Sequence, residues 1–181
     1  DKAKVCADFT AADGSIKSLE LGSSVNLGEF ISSPHIHAVG GSWVCPKADI
    51  AAHNWDKITA LCAESRRSVL GFEIAHIGIN AESPDDSLSV MNDFEQCFGF
   101  APKPGNSSNF AGSGVEIMKS KYLGDHGHIA IRTNKIEAAV AYLEKNGYEL
   151  DADSAKYKDG NLKAVYLKKQ FGGFACHLVQ K

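Results

Sequence analysis

The sequence predicts an α+β protein in which one unit, a strand, a helix and about three further strands, occurs twice. Two segments with the pattern His-Ile-x-Ile begin at His76 and His128, 52 residues apart. In each segment the isoleucines alternate with other residues, a period of two that is typical of a strand with one buried face. Because each segment also precedes apolar residues at helical spacing, the repeat predicts paired βαβββ modules.

The repeat divides the chain into two predicted domains. Residues 71–181 hold the modules, with module one at 71–122 and module two at 123–181. Residues 1–70 precede them and are predicted to be mostly helical. A chain of 181 residues has room for one good domain with an appendage, or for two small domains.

Composition narrows the functional classes. A net charge of -3 gives no field that would gather nucleic acid or an anionic membrane. No apolar run approaches the roughly 20 residues of a membrane-spanning helix. The five cysteines are odd in number, widely spaced and set among apolar neighbours, without a Cys-x-x-Cys pair. This usage predicts reduced, mostly buried thiols in a cytoplasmic protein.

Elements of the first domain are predicted from local spacing. Residues 1–24 are small, polar and weakly patterned, so a loose lead-in with at most one short helix is expected. Residues 25–31 are predicted as a helical turn or two and 35–39 as a strand. The apolar spacing at 47–52 and 55–65 predicts two helices.

Module one is predicted to start with a strand at His76. A helix follows from Ser83, where a proline and two aspartates suit a helix N-terminus, and Gly99 ends it. The segment from Gly105 to Gly114 is rich in Gly, Ser and Asn, and could be a mobile lid or a hairpin connection. A strand at residues 115–118 completes the module.

Module two is predicted to start with a strand at His128. Asn134 is predicted to cap a helix that runs to residue 143 and ends at Asn146-Gly147. Strands are predicted at 148–150, 164–167 and 174–179, with a hairpin turn at Asp159-Gly160-Asn161.

The two modules resemble the vicinal-oxygen-chelate superfamily, the glyoxalase and bleomycin-resistance fold. The resemblance is carried by the two His-Ile-x-Ile strands, by helices that end in Gly-Phe or Gly-Tyr, and by a terminal strand with His-Leu-Val-Gln. In that family the paired sheets form an open cup, and the first and last strands of each module hold a divalent metal. The resemblance implies a Zn, Mn, Fe, Co or Ni ion bound by His76, Glu116, His128 and His177.

His177 departs from the family pattern, which usually has a glutamate in the final strand. Three histidines and one carboxylate still suit a divalent transition metal. Glu116 would then have to be both ligand and catalytic base, or another group would serve. Structural roles stay open for the histidines, and Glu116 could face solvent. Arg132 is predicted to pair with a substrate carboxylate, with Lys119 and Lys121 as weaker candidates.

Residues 25–66 resemble the C-terminal end of bacterial 2-keto-3-deoxy-6-phosphogluconate (KDPG) aldolase, a (β/α)8 barrel with a Schiff-base lysine. The motifs that carry this resemblance are Val25-Asn-Leu-Gly-Glu-Phe-Ile, Gly40-Gly41-Ser42-Trp43 and Trp55-Asp-Lys-Ile. Because the chain up to residue 66 is far too short for such a barrel, the segment is expected to be a remnant of one. In that family the Gly-Gly-Ser turn helps to hold the substrate phosphate, although here the glycines could instead form a plain turn.

The leading hypothesis is therefore a metal-dependent glyoxalase-like lyase or isomerase that acts on a small 2-oxo acid or sugar-acid derivative, linked to KDPG aldolase. One alternative is a non-catalytic ligand-binding or assembly module of an aldolase, and another is a truncated KDPG aldolase. The expected partners are a small-molecule substrate and a second copy of the chain. A homodimer is expected because paired modules of this superfamily commonly dimerise and residues 25–66 offer an apolar helix that needs cover.

Overall fold

The computed structural model describes residues 5–10, 16–21, 27–31 and 36–181. The chain divides into two compact units, residues 1–72 with Lys181, and residues 73–180. In the described part of the chain, no helix has the length and apolar character needed to cross a membrane.

The described part of the first unit combines a small sheet with short helices. The sheet is antiparallel and has the order β2-β1-β3. Its elements in chain order are β1 (Val5–Thr10), β2 (Ile16–Leu21), α1 (Leu27–Ile31), β3 (Ile36–Gly41), a 3-10 turn (Ser42–Val44), α2 (Lys47–Ala51) and α3 (Trp55–Leu70). Leu27, Ile31 and Ile36 are buried together and form the core of this unit, with Trp43 and Val69 packed against them.

The predicted loose lead-in over residues 1–24 is wrong in its described part, because β1 pairs with both β2 and β3. The sequence carried a strand signal there, since Ala7 and Phe9 alternate with other residues, as do Leu19 and Leu21. The described part of the unit therefore combines helices with a small sheet. Its antiparallel pairing also differs from the parallel strands of a (β/α)8 barrel, so the fold gives no support to a barrel remnant.

The later elements of the first unit follow the prediction. Helix α1, strand β3 and helices α2 and α3 lie where local spacing placed them. Helix α3 runs five residues beyond the expected end at residue 65 and stops at Gly71. Gly71 adopts the left-handed conformation, with φ of 57°, that glycine tolerates at a helix C-terminus.

The second unit contains an eight-stranded mixed sheet in the order β5-β6-β7-β4-β8-β11-β10-β9. Its strands are β4 (Glu73–Asn80), β5 (Pro102–Pro104), β6 (Ser108–Ala111), β7 (Val115–Met118), β8 (Gly127–Thr133), β9 (Leu150–Lys158), β10 (Asn161–Phe171) and β11 (Phe174–Gln180). Its helices are α4 (Pro84–Phe98) and α5 (Ile136–Lys145). Strand, helix and three strands thus occur twice in succession, and the predicted α+β class is confirmed.

Strand pairing relates the two modules by an approximate twofold axis. The first strands β4 and β8 pair antiparallel at the centre, and each pairs in parallel with the last strand of its own module. Gly78 lies opposite Glu116 in module one, and Ala130 lies opposite His177 in module two. Glu116 and His177 are therefore equivalent positions, one in each module.

Helix α4 is fixed to its sheet by both apolar and polar contacts. Met91 packs with the buried residues Ala111 and Ile117. Ser87, which is fully buried, donates a hydrogen bond to the Ile117 carbonyl at 2.9 Å and accepts one from Asn109 Nδ2 at 3.0 Å. These contacts hold α4 against β6 and β7 and so fix the last strand of module one.

The helix ends were predicted with partial success. Ser83 caps α4 by accepting a hydrogen bond from the Asp86 backbone N–H at 3.1 Å, and Gly99 ends the helix, as predicted. The prediction that Asn134 caps α5 is wrong, because the N-cap position is Lys135. The Gln180 side chain, at the end of β11, takes over this role and accepts from the Ile136 N–H at 2.9 Å.

Cys45, Cys62, Cys97 and Cys176 are free, but the prediction that most of the five cysteines are buried is wrong. Cys45, Cys62 and Cys97 are exposed, and of these four only Cys176 is buried.

Candidate metal centre

The four side chains that the sequence singled out as ligands come together on the sheet of the second unit. Glu116 Oε2 lies 3.0 Å from His76 Nε2 and 3.1 Å from His128 Nε2. The two histidine Nε2 atoms are 3.2 Å apart. Potential ligand atoms of His76, His128 and His177 all lie within 4.8 Å of one another, so these three histidines could hold a metal ion.

The strand register explains why these residues meet. Side chains two residues apart lie on one face of a strand, and β4 and β8 are neighbours at the centre of the sheet. Gly78 pairs directly with His128 across this junction. A Cβ atom at Gly78 would lie 2.0 Å from His128 Cε1, so the missing side chain makes the room that the imidazole occupies. Gly78 was not identified from the sequence.

The buried histidines have ring nitrogens without partners. His128 is 2% exposed and His177 is 7% exposed. His128 Nδ1 and both ring nitrogens of His177 are buried and have no hydrogen-bond partner among the described residues. Buried polar atoms in native proteins are nearly always hydrogen-bonded, and an unmet one costs about 1–3 kcal/mol. An additional bonding partner is therefore expected at this cluster.

Glu116 is held in place by a serine that module two lacks. Ser108 Oγ donates to Glu116 Oε1 at 2.5 Å. Burial alone raises the pKa of Glu116, but the hydrogen bonds from His128, His76 and Ser108 outweigh it and hold this pKa well below its usual range. In module two Ala164 takes the place of Ser108 in the register and offers no hydroxyl to His177.

Burial and neighbouring charges also change the pKa values of two groups in module two, His177 and Tyr166. Burial, and after it the positive charges that His128 and His76 can carry, lower the pKa of His177 to about 4, although the Glu116 carboxylate acts in the opposite direction. Burial raises the pKa of Tyr166, with Tyr122 and Glu116 acting in the same direction. His177 is therefore neutral near pH 7, the form in which imidazole binds metals.

The distances between donor atoms fit a transition-metal site. Two ligands that each lie about 2.0–2.1 Å from one ion, at an angle of about 90–105°, are separated by about 2.8–3.3 Å. The three separations among His76, Glu116 and His128 fall in this range. The His177 ring has nitrogens free to complete the set. The residues therefore fit a divalent transition metal.

A cavity of about 850 Å³ opens over the cluster. All four candidate ligands line it, together with Glu82, Lys119, Tyr122, Lys156 and Tyr166. Asn106 and Ser107 also line it and belong to the hairpin connection between β5 and β6. The segment from Gly105 to Gly114 thus comprises β6 and the two hairpin connections on either side of it, and the first connection contributes to the rim of the cavity.

Two of the three predicted substrate cations are not among the residues that line the cavity. The Arg132 guanidinium donates to the Ala75 carbonyl at 3.1 Å and lies 3.5 Å from Glu73 Oε1. The guanidinium therefore binds to β4 and does not line the cavity. Lys121 does not line the cavity either. Lys119 does line the cavity, and its Nζ donates to the Gly105 carbonyl at 2.6 Å.

The Gly40-Gly41-Ser42 segment belongs to the first unit, whereas the cavity is lined by residues of the second. Gly41 is extended, with φ of -175°, rather than turned. A Cβ atom at Gly41 would lie 1.5 Å from Trp43 Cζ3, and Trp43 Nε1 donates to Ser65 Oγ at 2.9 Å. Packing of the Trp43 ring therefore explains this glycine without a bound phosphate.

Comparison with known proteins gives only distant structural similarity. No protein-family model and no curated protein matches the chain. Methylmalonyl-CoA epimerase from Mycobacterium tuberculosis has 18% identity and a TM-score of 0.42, covering 59% of this chain and 86% of that chain. A variant of the Streptomyces coelicolor enzyme, in complex with 2-nitronate-propionyl-CoA, has 17% identity and a TM-score of 0.44, covering 60% and 94%.

A hypothetical protein from Bacillus halodurans C-125 is similar to the same degree, with 16% identity and a TM-score of 0.44 over 61% of this chain and 94% of that chain. The resemblance of residues 25–66 to KDPG aldolase is not shown by these comparisons. At identities of 16–18% and TM-scores of 0.42–0.44, these similarities assign neither a family nor a function to the chain.

Proposed function

We propose that residues 73–180 form a metal-dependent, glyoxalase-like isomerase or lyase that moves a proton next to a carbonyl group of a small oxygen-rich anion. The observation that carries this proposal is His177, a buried side chain with two ring nitrogens that have no partner among the described residues. It lies beside His76 and His128 in the candidate centre. Histidine is the commonest metal ligand, so a bound ion would remove the cost of burying ring nitrogens that have no hydrogen-bond partner.

The proposed ligands are His76, Glu116, His128 and His177. When bound, a divalent ion would attract two neighbouring substrate oxygens and stabilise the negative charge that develops as a proton leaves the adjacent carbon. The chain itself holds Glu116 ionised and oriented through Ser108. It also keeps His128 and His177 away from bulk water, which strengthens electrostatic interactions at the centre.

The predicted catalytic role of Glu116 is better replaced by a role as ligand. A carboxylate oxygen that binds the ion is less able to accept a proton, and Ser108 Oγ donates a hydrogen bond to the other oxygen of Glu116. Glu82 is a second carboxylate on the cavity wall, and it is exposed. We therefore propose Glu82 as the group that accepts the proton, with Glu116 reserved for the metal.

The charges on the cavity wall agree with a small anion once a divalent ion is bound. Lys119 and Lys156 balance the carboxylates of Glu82 and Glu116, so the ion would make the cavity positive. A 2-oxo acid or sugar-acid derivative carries the adjacent oxygens and the negative charge that this chemistry needs. The link to KDPG aldolase is supported only by the resemblance of residues 25–66 and plays no part in the proposal.

Exchange of a carbon-bound proton with solvent tests this function. Wild-type protein loaded with Zn²⁺, Mn²⁺, Ni²⁺ or Co²⁺ is incubated in D2O with a panel of 2-oxo acids, and proton NMR follows loss of the signal next to the carbonyl. We expect exchange that depends on metal, fails in Glu82→Gln with metal content kept, and fails in Glu116→Gln with metal content lost. Metal binding without exchange of any substrate would indicate a non-catalytic binding module instead.

We also propose a homodimer in the cytoplasm. Trp55, on α3, is 55% exposed, which leaves an aromatic surface that a second copy could cover. Cys45, Cys62, Cys97 and Cys176 are free, which agrees with a reducing compartment. Sedimentation equilibrium at the mass of one chain, 19.4 kDa, would contradict the dimer.

A further inference from the structure

Tyr166 packs on the candidate metal centre from strand β10. Its ring stacks on His177, with centroids 4.5 Å apart and an interplanar angle of 19°. The rings of Tyr122 and His128 meet it edge-on at 6.0 Å and 6.4 Å. Tyr166 also pairs with His177 in the backbone register of β10 and β11. The position of its ring is therefore fixed on three sides.

Module one provides a natural comparison for this residue. Phe110 pairs with Glu116 as Tyr166 pairs with His177, so the two aromatic residues occupy equivalent positions. The Phe110 ring meets the His76 ring edge-on at 5.7 Å. An aromatic ring alone thus packs against the ligands at this position. The hydroxyl of Tyr166 is an addition that packing does not require.

The hydroxyl group has no role within the described part of the chain. It forms no hydrogen bond with any described residue, although half-buried tyrosine hydroxyls usually find a partner. Tyr166 lines the cavity beside all four candidate ligands, whereas Phe110 does not. A tyrosine hydroxyl is protonated near pH 7 and can donate a hydrogen bond.

We propose that the Tyr166 hydroxyl donates a hydrogen bond to an oxygen of the bound substrate, and so selects ligands that present a carboxylate or carbonyl oxygen beside the candidate metal centre. This inference rests on the proposed function and adds a substrate-contacting residue to it. The hydroxyl keeps its proton, so it acts on the orientation and charge of the substrate rather than as an acid or base.

The test uses Tyr166→Phe, which reproduces at this position the residue that module one already carries. Isothermal titration first measures Zn²⁺ binding to the full chain and then oxalate binding to the Zn²⁺-loaded protein. We expect unchanged melting and Zn²⁺ affinity, and oxalate binding weaker by about tenfold or more, as for loss of a hydrogen bond to a charged group. Tyr157→Phe, at a residue that is 66% exposed, serves as the matched control.

The two titrations separate the possible failures. Equal oxalate affinity in Tyr166→Phe and wild type would overturn the role of Tyr166 and leave the proposed function standing. Failure of the Zn²⁺-loaded wild type to bind oxalate would also overturn it. Failure of the wild type to bind Zn²⁺, and equally Mn²⁺, Ni²⁺ and Co²⁺ in the same titration, would refute the proposed function itself, and with it this inference.

Discussion

Gly78→Ala should damage the candidate metal centre without any change to a ligand. The added Cβ would lie 2.0, 2.2 and 2.3 Å from three atoms of the His128 ring, where ordinary contacts begin at 3.4 Å. The ring would have to move by about 1.4 Å, although metal–ligand distances vary by only about 0.2 Å. We expect Zn²⁺ affinity to fall about 100-fold, and crowding to lower the free energy of unfolding by about 1–3 kcal/mol.

Isothermal titration with Zn²⁺ and chemical denaturation in chelator measure the two effects separately. Gly114→Ala is the matched control, because a Cβ there meets nothing within 4 Å and its backbone does not require glycine. Gly114 precedes β7, the strand that carries Glu116. Wild-type affinity in Gly78→Ala would refute the reasoning, since it would mean that His128 can leave its position without loss of the metal.

Two further predictions concern stability. The pKa of His177 is about 4 in the folded chain against an ordinary 6.5, so the unfolded chain binds a proton at a higher pH than the folded chain does. The stability that depends on neutral His177 is therefore complete above about pH 6.5 and is lost as the pH falls toward 4. In denaturation experiments, the free energy of unfolding of the metal-free protein should fall by about 2 kcal/mol between pH 7 and pH 5, and that of His177→Gln should fall by less. An equal fall in both proteins would contradict the role of His177. Ser87→Ala leaves Asn109 Nδ2 and the Ile117 carbonyl without their buried partner, so it should cost about 1–3 kcal/mol while Zn²⁺ affinity stays within twofold. An unchanged free energy of unfolding in urea denaturation would show that the two Ser87 hydrogen bonds do not stabilise the fold.

The repeat made the second unit predictable from sequence. Alternation over the strands of His76 and His128 depends only on neighbours along the chain, and the same pattern twice fixed the module length. The same positions, together with the family resemblance, pointed to His76, Glu116, His128 and His177, which the structure brings together. Local periodicity and repetition thus identified the strands, and the resemblance implied which of their residues are candidate ligands.

The supporting residues could not be predicted, because they depend on pairing between strands. Gly78 matters through its register with His128, and Ser108 through its contact with Glu116 across a hairpin. Tyr166 could not be predicted because the hairpins of the two modules differ in length. Its equivalence to Phe110 therefore appears only in the pairing register of the strands.

Arg132 shows the opposite error. Its place in the second histidine strand suggested a substrate contact, but a local hydrogen bond to the Ala75 carbonyl and an ion pair with Glu73 engage its guanidinium. In the first unit, short alternating segments without a repeat predict only a loose lead-in, although they form β1 and β2. Without a second copy, four to six alternating residues are a weak signal.

The metal content of the purified protein tests the central claim most directly. Protein prepared without chelator and dialysed against Zn²⁺ is analysed by inductively coupled plasma mass spectrometry, and X-ray absorption then identifies the ligands. We predict one Zn²⁺ per chain, bound by imidazole nitrogens and a carboxylate oxygen, and loss of that ion in the His76→Ala, His128→Ala double variant. Protein that folds normally but retains no Zn²⁺ would contradict the account, as would Zn²⁺ held equally well by the double variant.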